Sequence, residues 1–166
     1  DYTINITTTG VVARTGRLDK DHTCEGIGES PFITWEGVPD NAASLALIME
    51  DPASDALGLI NDVIVHTLWT HWVVYSIPPG VEEFAAGQVA GDTLENGGIQ
   101  GTNDYGNVRY NGPCPIPYLK FPGVPAVTNK PIKQPLISEE RPYFIRLYAL
   151  DGGVDVPPAA DRNALL

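Results

Sequence analysis

One stretch decides the fold class of this 166-residue chain: Trp69-Thr70-His71-Trp72-Val73-Val74-Tyr75-Ser76-Ile77-Pro78-Pro79. Its centre is a continuous apolar run of aromatic and β-branched residues, which predicts a strand inside a sheet over 71–77. The proline pair ends the run, because proline has no backbone N–H to donate to a neighbouring strand.

Similar strand patterns occur at 2–8, 44–49 and 143–150. The 17 glycines and 15 prolines are spread along the chain, as expected for short strands joined by many turns. Only 156–166, where prolines precede a run ending in two leucines, has the pattern of a helix start. The sequence therefore predicts one domain over 1–166, an all-β or strongly β-dominated sandwich with a helix, cut short, at its end.

The formal net charge of −11 narrows the classes of partner. Nucleic-acid binders are typically basic and anionic membranes attract Lys/Arg clusters, so the charge argues against both. No run approaches the roughly 18 to 20 consecutive apolar residues of a membrane span. An anionic ligand would have to be held by a local positive site against a repulsive overall field.

The two cysteines, Cys24 and Cys114, permit one disulfide without requiring it. From the sequence alone, a pair of small buried thiols is favoured over a bridge. The chain begins at Asp1 with neither an initiator Met nor an apolar signal region, and its start is rich in threonine. Together with the acidic composition, these features favour a secreted or periplasmic location over the cytoplasm.

The segment with the strongest functional signal is 101–115. Two Gly-flanked turns carry an Asp, an Arg and two Tyr and end in Gly112-Pro113-Cys114-Pro115. Glycine permits close backbone approach and proline stiffens the path, so such a loop can hold an anion with its N–H groups. The following segment, 116–142, has six prolines and three lysines and is either a functional loop or a surface insertion without a role.

Four motifs occur together in a fixed order: Asp51-Pro52 closing an apolar strand, Trp69-Thr-His71 at the mouth of another, the 101–115 loop, and Arg141-Pro-Tyr143 before the last strand. Taken singly, a His beside Trp is usually core, Asp-Pro is usually a turn, and Tyr beside a strand is usually packing. In this combination, from about Thr23 to Asp151, the chain resembles the phosphatidylethanolamine-binding protein family, also called Raf kinase inhibitor-like, and most closely its bacterial and archaeal branch.

The resemblance implies a Greek-key sandwich of two antiparallel sheets with few short helices. It also implies a surface pocket for phosphate-type anions, lined here by Asp51, Trp69, His71, Tyr110, Gly112, Pro115 and Tyr143. His71 would donate to the anion, and Asp51 would fix the His71 tautomer and favour the imidazolium form. Gly112 would let backbone N–H groups come close, while Tyr110 and Tyr143 would offer hydroxyl donors.

Arg141 stands where the family has a second His. An inward Arg141 would add a permanent charge and a bidentate fork suited to phosphate. Anion binding would then be less sensitive to pH between about 5 and 8 than in a pocket with two histidines. An outward Arg141 would leave the pocket without one wall.

We therefore expect a non-enzymatic binding protein, a modulator whose ligand is a phospholipid head group or a phosphorylated side chain. The alternative is a protein inhibitor of a kinase or serine protease that contacts its target through 116–142, since rigid Pro-rich loops lose little entropy on binding. A hydrolase is disfavoured because no Gly-x-Ser-x-Gly elbow is present. No cofactor is expected, and the spacing of His22, His66 and His71 predicts no metal site. The apolar end, Leu165-Leu166, makes a homodimer a further candidate.

Overall fold

The computed structural model describes residues 3–12, 15–54, 59–60, 63–64, 67–114 and 142–166. Its strands are β1 (Asn5–Thr8), β2 (Val11–Val12), β3 (Arg17–Leu18), β4 (Ile33–Glu36), β5 (Ser44–Ser54), β6 (Leu59–Ile60), β7 (Val63–Ile64), β8 (Thr67–Ile77), β9 (Glu83–Phe84), β10 (Ile99–Gln100) and β11 (Phe144–Leu150). The helical elements in this part of the chain are a 3₁₀ turn, Lys20–His22, and helix α1, Arg162–Leu165.

Two antiparallel sheets carry the fold, which confirms the predicted fold class. One has three strands in the order β1-β4-β9, and the other has four in the order β10-β8-β5-β11. Strands β2 with β3 and β6 with β7 form two small ribbons. Of the predicted loop 116–142, only residue 142 belongs to the described residues.

The main core lies between the two sheets. The three-stranded sheet supplies Ile33, Trp35 and Phe84, and the four-stranded sheet supplies residues such as Met49 and Trp72. The rings of Trp35 and Phe84 meet edge to face at 5.1 Å, a favoured aromatic geometry. Burial of these large side chains is the main force that holds the sheets together.

The opposite face of the four-stranded sheet is covered as well. Ala46, Val73 and Tyr75 form a second cluster there with Ala160 from the C-terminal segment. Because both faces of β5 and β8 are buried, these strands read as continuous apolar runs instead of alternating ones. Leu165 packs against this cluster within the same chain, whereas the next residue, the last leucine, is 65% exposed.

The two central strands are longer than the sequence predicts. Strand β5 does not close at Asp51-Pro52 but continues to Ser54, and β8 already begins at Thr67. The register shifts between Asp51 and Ser54, and such irregular positions are where a sheet accepts proline. His71 therefore lies within β8, not at its mouth, and the sequence prediction on this point is wrong.

The C-terminal helix begins later than predicted. Asp161 caps it by accepting from the Ala164 backbone N–H, so the helix starts at Arg162 and not near residue 156. Ala159 has a positive φ of 57°, which breaks helical geometry before that point. No helix in the described ranges has the length and apolarity that a membrane crossing requires.

Cys24 and Cys114 are joined in a disulfide, with their Cα atoms 5.3 Å apart. The prediction of two free buried thiols is wrong. The bridge forms because the turn after His22 lies beside the end of the 101–114 loop, where the Cys24 N–H donates to the Pro113 carbonyl at 3.0 Å. The pairing joins positions 90 residues apart, which local sequence patterns do not reveal.

Candidate ligand-binding site at the bulge of the central strand

A β-bulge places His71. Met49 pairs with Trp72, but the next residue of β5, Glu50, pairs with Thr70, so His71 is the extra residue of β8. Bulges re-aim a side chain and often occur beside functional sites. The following pair, Asp51 with Trp69, continues the ladder beyond the bulge. Asp51, Trp69 and His71 are thus brought together by strand pairing.

The backbone carbonyl of Asn111 fixes the tautomer of His71. The Nδ1 atom lies 2.8 Å from that oxygen, and since a carbonyl can only accept, Nδ1 carries the proton. The sequence predicts Asp51 for this task, whereas in the structure the Asn111 carbonyl of the loop performs it. His71 is only 3% exposed, and burial lowers its pKa; the Asn111 carbonyl and the charges of Asp51 and Asp104 oppose that shift without cancelling it.

Aromatic rings stand around His71. The ring of Tyr143 lies 5.4 Å from the imidazole at an angle of 81°, and that of Tyr105 lies 5.5 Å away. Tyr105 also meets Trp69 edge to face at 5.3 Å. Burial raises the pKa of the Tyr105 hydroxyl, which therefore keeps its proton at neutral pH. We call Asp51, Trp69, His71, Tyr105 and Tyr143 the bulge site.

Asn103 organises the loop that covers the bulge. Its buried side-chain amide contacts the carbonyls of His71 and Arg109 and the Asn111 side chain through Nδ2. Its Oδ1 accepts from the backbone N–H groups of Tyr105 and Asn107. The amide thus replaces backbone partners that an irregular loop lacks, as Asn commonly does in turns.

Asp104 fastens the same loop to the strand. Its carboxylate accepts from the Thr70 N–H at 2.6 Å, while its own N–H donates to the Thr70 carbonyl at 3.1 Å. Asn103, Asp104 and Tyr105 lie in the predicted functional segment 101–115, but none of them was predicted as a site residue. The signal that could have found them is the run Asn103-Asp104-Tyr105-Gly106, which is typical of a side-chain-capped turn.

The structure shows anchoring and packing contacts for Tyr110 and Gly112, while their contact with a ligand stays a prediction. The Tyr110 hydroxyl donates to the His22 carbonyl at 2.6 Å, and its ring packs 5.7 Å from Trp72 in the core. A Cβ on Gly112 would lie 2.5 Å from the His22 oxygen, so the glycine is needed for close packing against that segment. Both residues hold the loop down, and the hydroxyl donor expected from Tyr110 is already engaged.

The structure therefore brings together four of the predicted site residues, namely Asp51, Trp69, His71 and Tyr143. Of the other four, Tyr110 and Gly112 anchor the adjoining loop. Pro115 and Arg141 lie outside the described residues, and their roles stay predictions. Among the described residues, no group of three or more His, Cys, Asp or Glu side chains is arranged to hold a metal ion.

Comparisons with known proteins agree on one family. The family model for phosphatidylethanolamine-binding proteins matches residues 8–120. A UPF0098 protein of Methanothermobacter thermautotrophicus is 34% identical over 151 residues, which cover 91% of this chain and 80% of that protein. The UPF0098 protein YbcL of Escherichia coli is 35% identical over 115 residues, covering 68% of this chain and 58% of YbcL.

Solved structures agree with the sequence relatives. A phosphatidylethanolamine-binding protein homologue of Chlamydia trachomatis, CT736, superposes with a TM-score of 0.69 at 27% identity, covering 99% of this chain and 86% of its own. The crystal structure of E. coli YbcL shares the fold, with a TM-score of 0.69 at 24% identity over 98% of this chain and 85% of YbcL. The chain therefore belongs to the phosphatidylethanolamine-binding protein family.

Proposed function

We propose that this chain is a non-enzymatic binding protein whose bulge site takes a small ligand carrying a phosphate-type anion, and that it acts as a modulator. The observation that carries the proposal is the arrangement at the bulge of β8. Strand pairing, a buried amide and a carbonyl together hold one imidazole at a fixed tautomer between two tyrosine rings. Preorganisation of this kind lowers the entropy lost on binding.

The scaffold behind the bulge site supports the same proposal. The loop over it is anchored by the disulfide, by Asp104 and by Asn103, so its conformation is determined on three sides. A rigid loop beside half-buried aromatic rings is typical of a ligand site, since such surfaces otherwise pack into the core. The Tyr105 ring supplies apolar contact area for the part of the ligand that carries no charge.

Calorimetric titration with inorganic phosphate, phosphoethanolamine and phosphoserine tests the proposal. We expect saturable binding to the wild type and a loss of about tenfold or more in His71→Ala, because hydrogen bonds to charged groups contribute roughly 1.5–3 kcal/mol. Tyr105→Leu should weaken binding by several-fold. Its matched control is Tyr148→Leu, which removes a tyrosine from the opposite face of the sheet and should bind like the wild type.

Arg141→Ala belongs in the same series. A loss similar to that of His71→Ala would place Arg141 at the ligand, and an unchanged affinity would remove it from the list of contacts. If none of the three compounds binds the wild type, the proposed function is wrong. The alternative of a kinase or protease inhibitor depends on 116–142, which falls almost wholly outside the described residues, and it stays a prediction.

A further inference from the structure

The bulge site presents a hydrogen-bond acceptor where an anion would need a donor. Since Nδ1 of His71 donates to the Asn111 carbonyl, the neutral ring has a lone pair at its other nitrogen, Nε2. Within the described part of the chain, the imidazole makes its hydrogen bond through Nδ1, so Nε2 is the ring nitrogen left for a ligand. An ionised phosphate oxygen is also acceptor-only, so the two atoms repel unless a proton lies between them.

The groups that face His71 do not remove this requirement. Two carboxylates act on it, Asp51 from β5 and Asp104 from the loop, and both disfavour a fully ionised ligand. The two flanking hydroxyl groups belong to Tyr105 and Tyr143, whose rings lie beside the imidazole. A tyrosine hydroxyl can donate to Nε2 or to the phosphate, but a hydrogen bond made directly between Nε2 and a phosphate oxygen takes its proton from solvent or from the ligand.

We propose that the bulge site selects phosphate monoesters over phosphate diesters, because a monoester brings the proton that joins its oxygen to Nε2 of His71. This inference rests on the proposed function and narrows its ligand class. A phosphorylated side chain is a monoester whose last proton is lost near pH 6, so it still carries that proton in part at neutral pH. The head group of an intact phospholipid is a diester and has no such proton.

The charge state of His71 decides which of the two ligand classes binds more tightly. Burial lowers the His71 pKa below its ordinary value of 6.5, so the ring is mostly neutral at pH 7. A diester can then bind only after His71 takes a proton from solvent, which that lowered pKa opposes. Near pH 6 a monoester still carries its own proton and avoids the cost of protonating His71. Above pH 6 the monoester loses that proton, and its binding increasingly requires proton uptake from solvent.

Calorimetry with a matched pair of ligands tests the inference. Phosphoethanolamine is the monoester, and glycerophosphoethanolamine carries the same amine on a diester. At pH 7 we expect the monoester to bind more tightly than the diester, because burial lowers the His71 pKa and so opposes the proton uptake that the diester requires. Its affinity should fall by about tenfold from pH 7 to pH 8, since above both pKa values each pH unit removes tenfold of the protonated form. In buffers of different ionisation enthalpy, binding at pH 8 should take up close to one proton.

His71→Gln separates the role of the proton from that of contact. Glutamine keeps an amide donor in place of the ring but does not titrate. The variant should bind the two ligands with affinities within about threefold of each other, without proton uptake. As a check that does not depend on a variant, nitrogen NMR of the wild-type imidazole should show the proton of neutral His71 on Nδ1.

Several results would overturn the inference. Equal affinity for both ligands, or tighter binding to vesicles containing phosphatidylethanolamine than to a phosphoserine peptide, would reject monoester selection and leave the binding function standing. A flat affinity between pH 6 and pH 8 would also reject it and would agree with an inward Arg141. If NMR showed the proton of the neutral imidazole on Nε2, that atom would be a donor and monoester selection would have no physical reason. Failure of both ligands to bind at every pH would reject the proposed function as well.

Discussion

Substitution of Asn103 by alanine tests whether one buried amide holds the 101–114 loop on the sheet. The strongest of its hydrogen bonds run from Nδ2 to Arg109 O and Asn111 Oδ1, both at 2.8 Å, and to Oδ1 from Tyr105 N at 3.0 Å and Asn107 N at 3.1 Å. At about 1 kcal/mol net for each bond, Asn103→Ala should lower the free energy of unfolding by about 4 kcal/mol. Relaxation of an exposed part of the loop would reduce the loss to about 3 kcal/mol.

Urea unfolding followed by tryptophan fluorescence measures this difference, and thermal unfolding gives an independent value. In a domain of this size about 3–4 kcal/mol corresponds to a fall in Tm of roughly 10 °C. The matched control is Asn96→Ala, which removes a single exposed hydrogen bond to the Glu83 carbonyl and should cost about 1 kcal/mol or less. Asn103→Asp turns a carboxylate oxygen towards the Arg109 carbonyl and the Asn111 Oδ1 acceptor, so it should cost at least as much as Asn103→Ala.

The reasoning is refuted if Asn103→Ala costs no more than Asn96→Ala. That result would mean that water replaces the lost amide in the folded protein, and that the disulfide and Asp104 alone hold the loop. A loss of stability with unchanged ligand affinity would refute a narrower point. It would show that the contact from Asn103 to the His71 carbonyl does not position the imidazole.

The other predictions concern the contacts between the same loop and the segment 22–24. Removing the disulfide with Cys24→Ser and Cys114→Ser should lower the free energy of unfolding by about 2–5 kcal/mol, because closing a 90-residue segment removes up to about 4.6 kcal/mol of chain entropy from the unfolded state. The wild type in reductant should have the same stability as the double variant in chemical denaturation. A loss below about 1 kcal/mol would contradict this prediction. Gly112→Ala should cost about 1–3 kcal/mol, since its Cβ would lie 2.5 Å from the His22 carbonyl, whereas Gly152→Ala, which meets nothing within 4 Å, should be near neutral in the same assay.

The apolar runs made the central strands predictable. Residues 46–49 and 72–75 lie in β5 and β8, buried on both faces as their composition indicates. Hydrophobicity belongs to the residue type, and apolar residue types are the ones most often buried, so an apolar run in the sequence indicates a buried strand directly. The resemblance to the family also predicted that Asp51, Trp69 and His71 lie together, which no local sequence pattern indicates.

The errors concerning His71 and the disulfide share one physical cause, which is that both depend on non-local pairing. Whether His71 follows the alternation of its strand depends on the register with β5, and a single inserted residue changes which face it meets. The roles of Tyr110 and Gly112 depend on the segment around His22, which is almost 90 residues away in sequence. The tautomer of His71 depends on a backbone carbonyl, which every residue has and no motif can mark.

The geometry of the bulge site depends on an edge of the four-stranded sheet that is only partly paired. Strand β10 pairs only with Val74 and Tyr75 of β8, so the half of β8 before them has no neighbouring strand on that side among the described residues. The 101–114 loop supplies the missing partners through backbone bonds to Val73, His71 and Thr70. A second regular strand at this edge would need an irregularity of its own to match the extra residue of β8, whereas a loop can follow it. Because a loop completes the edge, the imidazole can leave the core alternation while its backbone stays satisfied. Changes in the loop sequence should therefore alter ligand preference and local stability together.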